Sequence, residues 1–235
     1  MTSDLYFCGD IHDSSIIILG DFGVGFSRNL ETEYNKTKSR LEKNNLTIYV
    51  LRGNHDDPDY FKDESHDFPR LKFLQDHKVY NICDRKIYTI GGAYSTDANT
   101  IPEYSNIDRK ILNEKRLAKG KMPVWWENEN VVKKYSELPT KVDIIISHTA
   151  PLNFDPVPMR DQGISIKQYE NIIDERKYLM SLLSEINADY WFYGHFHKSY
   201  TGTYNKILYK CLGELELCMA PEHKENNPQG ELKNE

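Results

Sequence analysis

Five short stretches hold the residues whose types and spacing fit chemistry. They are Gly-Asp-Ile-His (Asp10, His12), Gly-Asp (Asp21), Gly-Asn-His-Asp (Asn54, His55, Asp56), Ser-His (His148) and Gly-His-Phe-His (His195, His197). Together they offer carboxylate, amide and imidazole donors and no thiolate. That mixture suits Mn, Fe or Zn in a catalytic site better than a thiolate zinc site. Glycines precede Asp10, Asp21, Asn54 and His195, and they let the backbone turn sharply so that each side chain points inward. Each piece alone is weak. A lone histidine at a strand end is more often structural, and Asp21 alone would serve as a helix cap. Five pieces in this order read as a metal centre.

The elements that must position these residues follow from the apolar runs. Residues 5–9, 15–20, 46–51, 86–92, 143–147 and 190–194 are short, rich in β-branched and aromatic side chains, and read as buried strands. Between them, Leu30, Tyr34 and Leu41 mark one helix. Tyr169, Ile172, Ile173, Leu179, Leu182, Leu183 and Ile186 mark another by their 3.6-residue period. Strands alternating with helices predict an α/β layered fold, and ligands at the C-terminal ends of its strands face the crevice where such sheets bind. The stretch 94–139 reads as an insertion over one face, with a charged helix at 107–119 ended by Gly120. KILYKC and ELELCM read as a closing hairpin, and 221–235 as a polar tail, so that 1–220 is a single domain.

Composition narrows the function classes. The 235-residue chain carries a net charge of −6, which argues against nucleic acid as the partner. Cys8, Cys83, Cys211 and Cys218 show no CxxC spacing and read as reduced thiols in a cytoplasmic setting. The N-terminus lacks the basic and apolar regions of a signal peptide, and no apolar run is long enough to span a bilayer. His66, His77 and His223 read as surface residues.

The order D-x-H, GD, GNHD, H, GHxH resembles that of the calcineurin-like metallophosphoesterases, from Gly9 to about Tyr200. GDFGVGF, RGNHDDP, GGAYSTD, WW-x-x-E and W-x-YGHFH are similar to a bacterial and phage-type branch. The resemblance implies a four-layer α/β/β/α sandwich, with two mixed sheets face to face, helices outside and the metal site at one end. It implies two divalent ions. One would be held by Asp10, His12, Asp21 and His197, and the other by Asp21, Asn54, His148 and His195, with Asp21 bridging. Such a pair clamps phosphate oxygens and acidifies a bridging water that attacks phosphorus in line. His55 then protonates the leaving oxygen or holds the phosphoryl group, and Asp56 or Asp57 orients it. The Asp that some members place four residues after the bridging one is Gly25 here. Arg28 and Arg52 are candidates for phosphate contact, with an internal ion pair the stronger reading for Arg52. Asp97 is a candidate brace for a ligating histidine, and Trp125 and Trp126 with Glu129 either wall the substrate or pack the insertion. The substrate would be a phosphoprotein, a nucleotide or a dinucleoside polyphosphate. A catalytically impaired scaffold of the same fold is the alternative, and a nuclease a weaker one.

One feature departs from that pattern. Only eight residues separate His12 from Asp21. The family places a helix there, because parallel neighbouring strands need a crossover of about a dozen residues or more. This puts the first of the two ion sites in question and predicts exposed apolar sheet surface.

Overall fold

The computed structural model describes residues 14–25, 29–95, 109–121, 126, 128–154 and 166–221. The run at 5–9, with Asp10 and His12, lies outside them, as do Arg28, Asp97, Trp125 and the 222–235 part of the tail.

Strands β1 (Ser15–Ile18), β2 (Thr47–Leu51) and β3 (Leu71–Leu74) form one sheet in the order β1-β2-β3. Strands β4 (Val79–Ile82), β5 (Arg85–Ile90), β6 (Ile144–Ser147), β7 (Tyr190–Tyr193), β8 (Tyr200–Tyr204) and β9 (Ile207–Cys211) form the second, in the order β4-β5-β6-β7-β9-β8. The second sheet is mixed. Strands β5, β6, β7 and β9 run parallel, and β4 and β8 close its edges antiparallel. Among the described residues the first sheet is wholly parallel.

The side-chain period of two assigns each strand face to a layer. Ile17, Leu51 and Leu74 of the first sheet meet Ile87, Ile144, Ile146 and Phe192 of the second, forming the core between the sheets. The opposite faces carry Val50, Leu71 and Phe73 on one side and Tyr88, Ile90, Ile145, Trp191 and Tyr193 on the other. Helix α1 (Leu30–Lys43) covers the first outer face through Tyr34 and Leu41. Its start is set by Asn29, whose side chain accepts from the Thr32 N–H at 2.9 Å, and acidic Glu31 and Glu33 complement the N-terminal end of its dipole. Helix α3 (Ile166–Glu185) covers the other outer face through Tyr178, Leu179 and Leu182. The three apolar layers make the four-layer sandwich.

Three strands were not foreseen: β3, β4 and β8. The closing hairpin pairs β9 with β8, so KILYKC is a strand while ELELCM carries no strand. The charged helix of the 94–139 stretch is α2 (Arg109–Ala118). His77, read as a surface residue, is instead half-buried. Its Nδ1 lies 2.8 Å from the Tyr88 hydroxyl and its Nε2 2.5 Å from the Val132 carbonyl.

Candidate metal centre

Asp21, Asn54, His148 and His195 each sit just past the C-terminal end of a strand, after β1, β2, β6 and β7 respectively. The crevice there lies at one end of the sandwich, and the four side chains meet in it. Asn54 Oδ1 is 2.9 Å from His148 Nε2 and 3.1 Å from His195 Nδ1. His148 Nε2 is also 3.3 Å from Asp21 Oδ1. One ligand atom from each of Asp21, His148 and His195 lies within 4.8 Å of the other two. Ligands about 2.1 Å from an ion stand about 3.0 Å apart in an octahedron and about 3.4 Å apart in a tetrahedron, so these spacings fit a common ion.

The hydrogen bonds around the cluster decide which atoms face inward. His148 Nδ1 lies 2.6 Å from the Leu19 carbonyl, an acceptor, and so carries the proton. Its Nε2 then presents a lone pair to Asn54 Oδ1 and Asp21 Oδ1. The Asn54 amide donates from Nδ2 to Ser95 Oγ at 2.7 Å, which turns its oxygen into the cluster. Ser95 is held by its own N–H, which donates to Glu129 Oε1 at 2.9 Å. Lone pairs facing lone pairs require a positive charge between them, which either a proton on His148 Nε2 or a divalent ion supplies, and the oxygen and imidazole donors fit such an ion. Burial opposes a charge on His148, yet the Asp21 carboxylate outweighs it and raises the imidazole pKa. Burial likewise opposes ionisation of Asp21, but the His148 charge and hydrogen bond and the His55 N–H hold its carboxyl far below the usual range.

Three of the candidate residues sit in strained backbone. Asp21, His195 and His197 have φ of 56°, 68° and 53°, a left-handed conformation that costs each about 1–3 kcal/mol. Two glycines are there for space. A Cβ on Gly20 would stand 2.2 Å from His148 Nδ1, and one on Gly53 would stand 2.2 Å from both the N and Oδ1 of Asp21. Glycine before Asn54 thus serves close approach rather than the inward turn inferred from sequence. Gly25 is packed against Asp57 and Trp126, so no side chain fits where some family members carry an Asp.

The other predicted residues fall out differently. The His55 N–H donates to Asp21 Oδ1 at 2.9 Å, placing this half-buried histidine beside the cluster. Asp56 is fully buried, and its carboxylate accepts from the N–H groups of Gly23 (2.7 Å), Val24 (3.2 Å) and Gly53 (2.8 Å). It ties the Asp21 loop to the Asn54 loop. Asp57 caps the 3-10 turn Pro58–Phe61 through the Asp59 N–H. Arg52 is 2% exposed and donates to Asp76 Oδ2 from Nε (3.0 Å) and Nη2 (2.7 Å). Its remaining donors reach the carbonyls of Gly91, Asn128, Glu129 and Asn130. That is the internal ion pair, and it leaves no donor for a phosphate. His197 is exposed and stands outside the Asp21, His148 and His195 group. Ser95 and the positioning role of Glu129 were missed, although both lie in quoted motifs. Nothing in a serine by itself points to an amide 41 residues away, nor in a glutamate to a serine 34 residues away.

The Metallophos family, described as calcineurin-like phosphoesterase, matches residues 4–199. Among solved structures, the phosphopantetheinyl hydrolase of Mycobacterium tuberculosis matches at 14% identity and a TM-score of 0.40. That match covers 92% of this chain and 88% of the other. No curated protein matches the sequence.

Proposed function

Because this chain belongs to the calcineurin-like phosphoesterase family, we propose that it hydrolyses phosphate mono- or diesters with a divalent cation at the Asp21, Asn54, His148 and His195 cluster. The observation that carries the reading is the convergence of His148 Nε2 and His195 Nδ1 on Asn54 Oδ1, at 2.9 and 3.1 Å. When bound, the ion supplies Lewis-acid polarisation of a phosphoryl oxygen and an acidified water. The oxygen and imidazole donors suit Mn, Fe or Zn. The second ion that the resemblance implies would need Asp10, His12, Asp21 and His197, of which Asp10 and His12 lie outside the described residues.

The protein's own groups do the rest. Asp21 and Asn54 set the geometry of the cluster, and the strain at Asp21 is held by Asp56 and by the absence of a side chain at Gly53. His148 is kept in one tautomer by the Leu19 carbonyl. His55, anchored through its N–H to Asp21, is the candidate to protonate the leaving oxygen or to hold the phosphoryl group. The substrate is a phosphoprotein, a nucleotide or a dinucleoside polyphosphate, in a cytoplasmic setting. Free Cys83, Cys211 and Cys218 support that setting. No helix of the described residues is long and apolar enough to cross a membrane.

The test is a Mn²⁺ titration of turnover on 4-nitrophenyl phosphate and bis(4-nitrophenyl) phosphate with metal-stripped protein. Turnover rises with metal, and His55→Ala lowers it by about 100-fold or more. A folded, metal-loaded protein with no turnover on either ester would favour the impaired scaffold. The eight-residue interval between His12 and Asp21 is the observation on that side.

A further inference from the structure

The second ion named by the resemblance needs Asp10 and His12 at the same cluster, and the covalent chain bears directly on that. Both lie outside the described residues, but His12 is tethered to Ser14, which is buried at the start of β1. Ser14 belongs to the far end of the first sheet, since its carbonyl accepts from the N–H of Thr47, the first residue of β2. Parallel strands advance about 3.3 Å per residue, which puts Leu19 roughly 16 Å along from Ser14. The Leu19 carbonyl touches His148 Nδ1 at 2.6 Å, so the ligand atoms begin at about that distance.

The reach from Ser14 is shorter. Two residues of chain span at most about 7 Å, and an imidazole with its bond to an ion adds roughly 6–7 Å. The total falls short of the cluster even on a straight path with no turn. A hairpin at Asp13 and Ser14 would set His12 level with Ser15 and Asp10 level with Ile17. That arrangement puts the histidine farthest from the site and leaves the two side chains unable to share one ion there. A parallel return alongside β1 needs a crossover of about a dozen residues, and only Asp13 and Ser14 separate His12 from β1.

We infer that a chain of this sequence binds one divalent ion, at Asp21, Asn54, His148 and His195, and that its own Asp10 and His12 are not ligands of that centre. The inference rests on the metal-centre reading above and deepens it. Two consequences follow for the chemistry. Asp21 binds one ion instead of bridging two, so its second carboxylate oxygen is not committed to another metal. His197, exposed two residues after His195, has no first-site ion to bind and is left as a group for substrate or solvent.

The experiment counts ions. Metal-stripped full-length protein is dialysed against excess Mn²⁺ or Zn²⁺, and bound metal per chain is measured by elemental analysis together with the oligomeric state. An electron paramagnetic resonance spectrum of the Mn²⁺ form reports whether two ions are coupled. The expected result is one ion per chain and no coupled-pair signal. The Asp10→Ala/His12→Ala double variant still binds one ion with affinity unchanged, whereas His148→Ala loses it by more than about 100-fold, a direct ligand costing more than an outer partner. Two ions per chain, or a coupled signal abolished by His12→Ala, would overturn the inference while leaving the metal-centre reading intact. A folded wild-type protein that binds no ion would instead overturn that reading, and the inference with it.

Discussion

Asn54 is the pivot of the cluster, and its role depends on which way its amide faces. The Ser95 hydroxyl decides that by accepting from Nδ2, and the Ser95 N–H is in turn fixed on the Glu129 carboxylate. Removing the hydroxyl leaves a buried amide N–H without its acceptor and lets the group rotate. Ser95→Ala is therefore expected to weaken Mn²⁺ or Zn²⁺ affinity by about 10–100-fold, with a thermal midpoint lowered only slightly, as calorimetric titration and melting would show. Gly53 makes the same point in steric terms, because its missing Cβ is what lets the Asp21 carboxylate lie against β2's end. These requirements are partly visible in sequence. The glycines and the ligating residue types stand out because few residues can replace them, so Asp21, Asn54, His148 and His195 were legible. Ser95, Glu129 and the bracing role of Asp56 were not, since ordinary polar residues gain such roles only from what the fold places beside them. Arg52 was legible only as a choice between phosphate and an ion pair, and burial made the choice.

At the level of elements, continuous apolar runs were read well, because a strand buried on both faces has few polar positions. Strands β6 (IIIS) and β7 (YWFY) are of that kind. The strands that escaped, β4 (VYNI) and β8 (YTGTY), lie at sheet edges with alternate residues exposed, and β3 (LKFL) is interrupted by a lysine. Helix α3 shows a less obvious feature in Glu175, which is buried on its inner side and accepts from the N–H groups of Tyr94 and Val131. Burial pushes its carboxyl up from 4.5 to about 7, against those two N–H groups and with help from Glu129. Between those values the folded chain keeps a proton that the unfolded chain releases. Stability therefore falls as pH rises from about 4.5 to about 7 and is level above, by on the order of 3 kcal/mol for this group. Urea unfolding at pH 5 and pH 8 checks the sign, and Glu175→Gln should flatten the difference. A stability that rose across the same window in the wild type and was unaffected by Glu175→Gln would contradict it.

For the whole molecule, the layered fold was legible because strands and helices alternate along the chain, and three apolar layers need at least two sheets. The order of strands across each sheet was not, since pairing depends on connections that a sequence does not spell out. Nor does anything in the four ligand motifs reveal how widely they are spread, yet that spread has a kinetic consequence. Asn54 meets His148 and His195 across 94 and 141 residues of chain. The centre comes together only after both sheets have docked, so a bound ion has little to hold in a partly folded chain. Ion at 100 times its dissociation constant stabilises the native state by about 2.7 kcal/mol. Stopped-flow chevrons should place that gain in the unfolding limb, slowing escape about 100-fold while refolding proceeds at the same rate with or without metal. A refolding limb that accelerates with Mn²⁺ would mean that the ion gathers its ligands early, before the sandwich has closed.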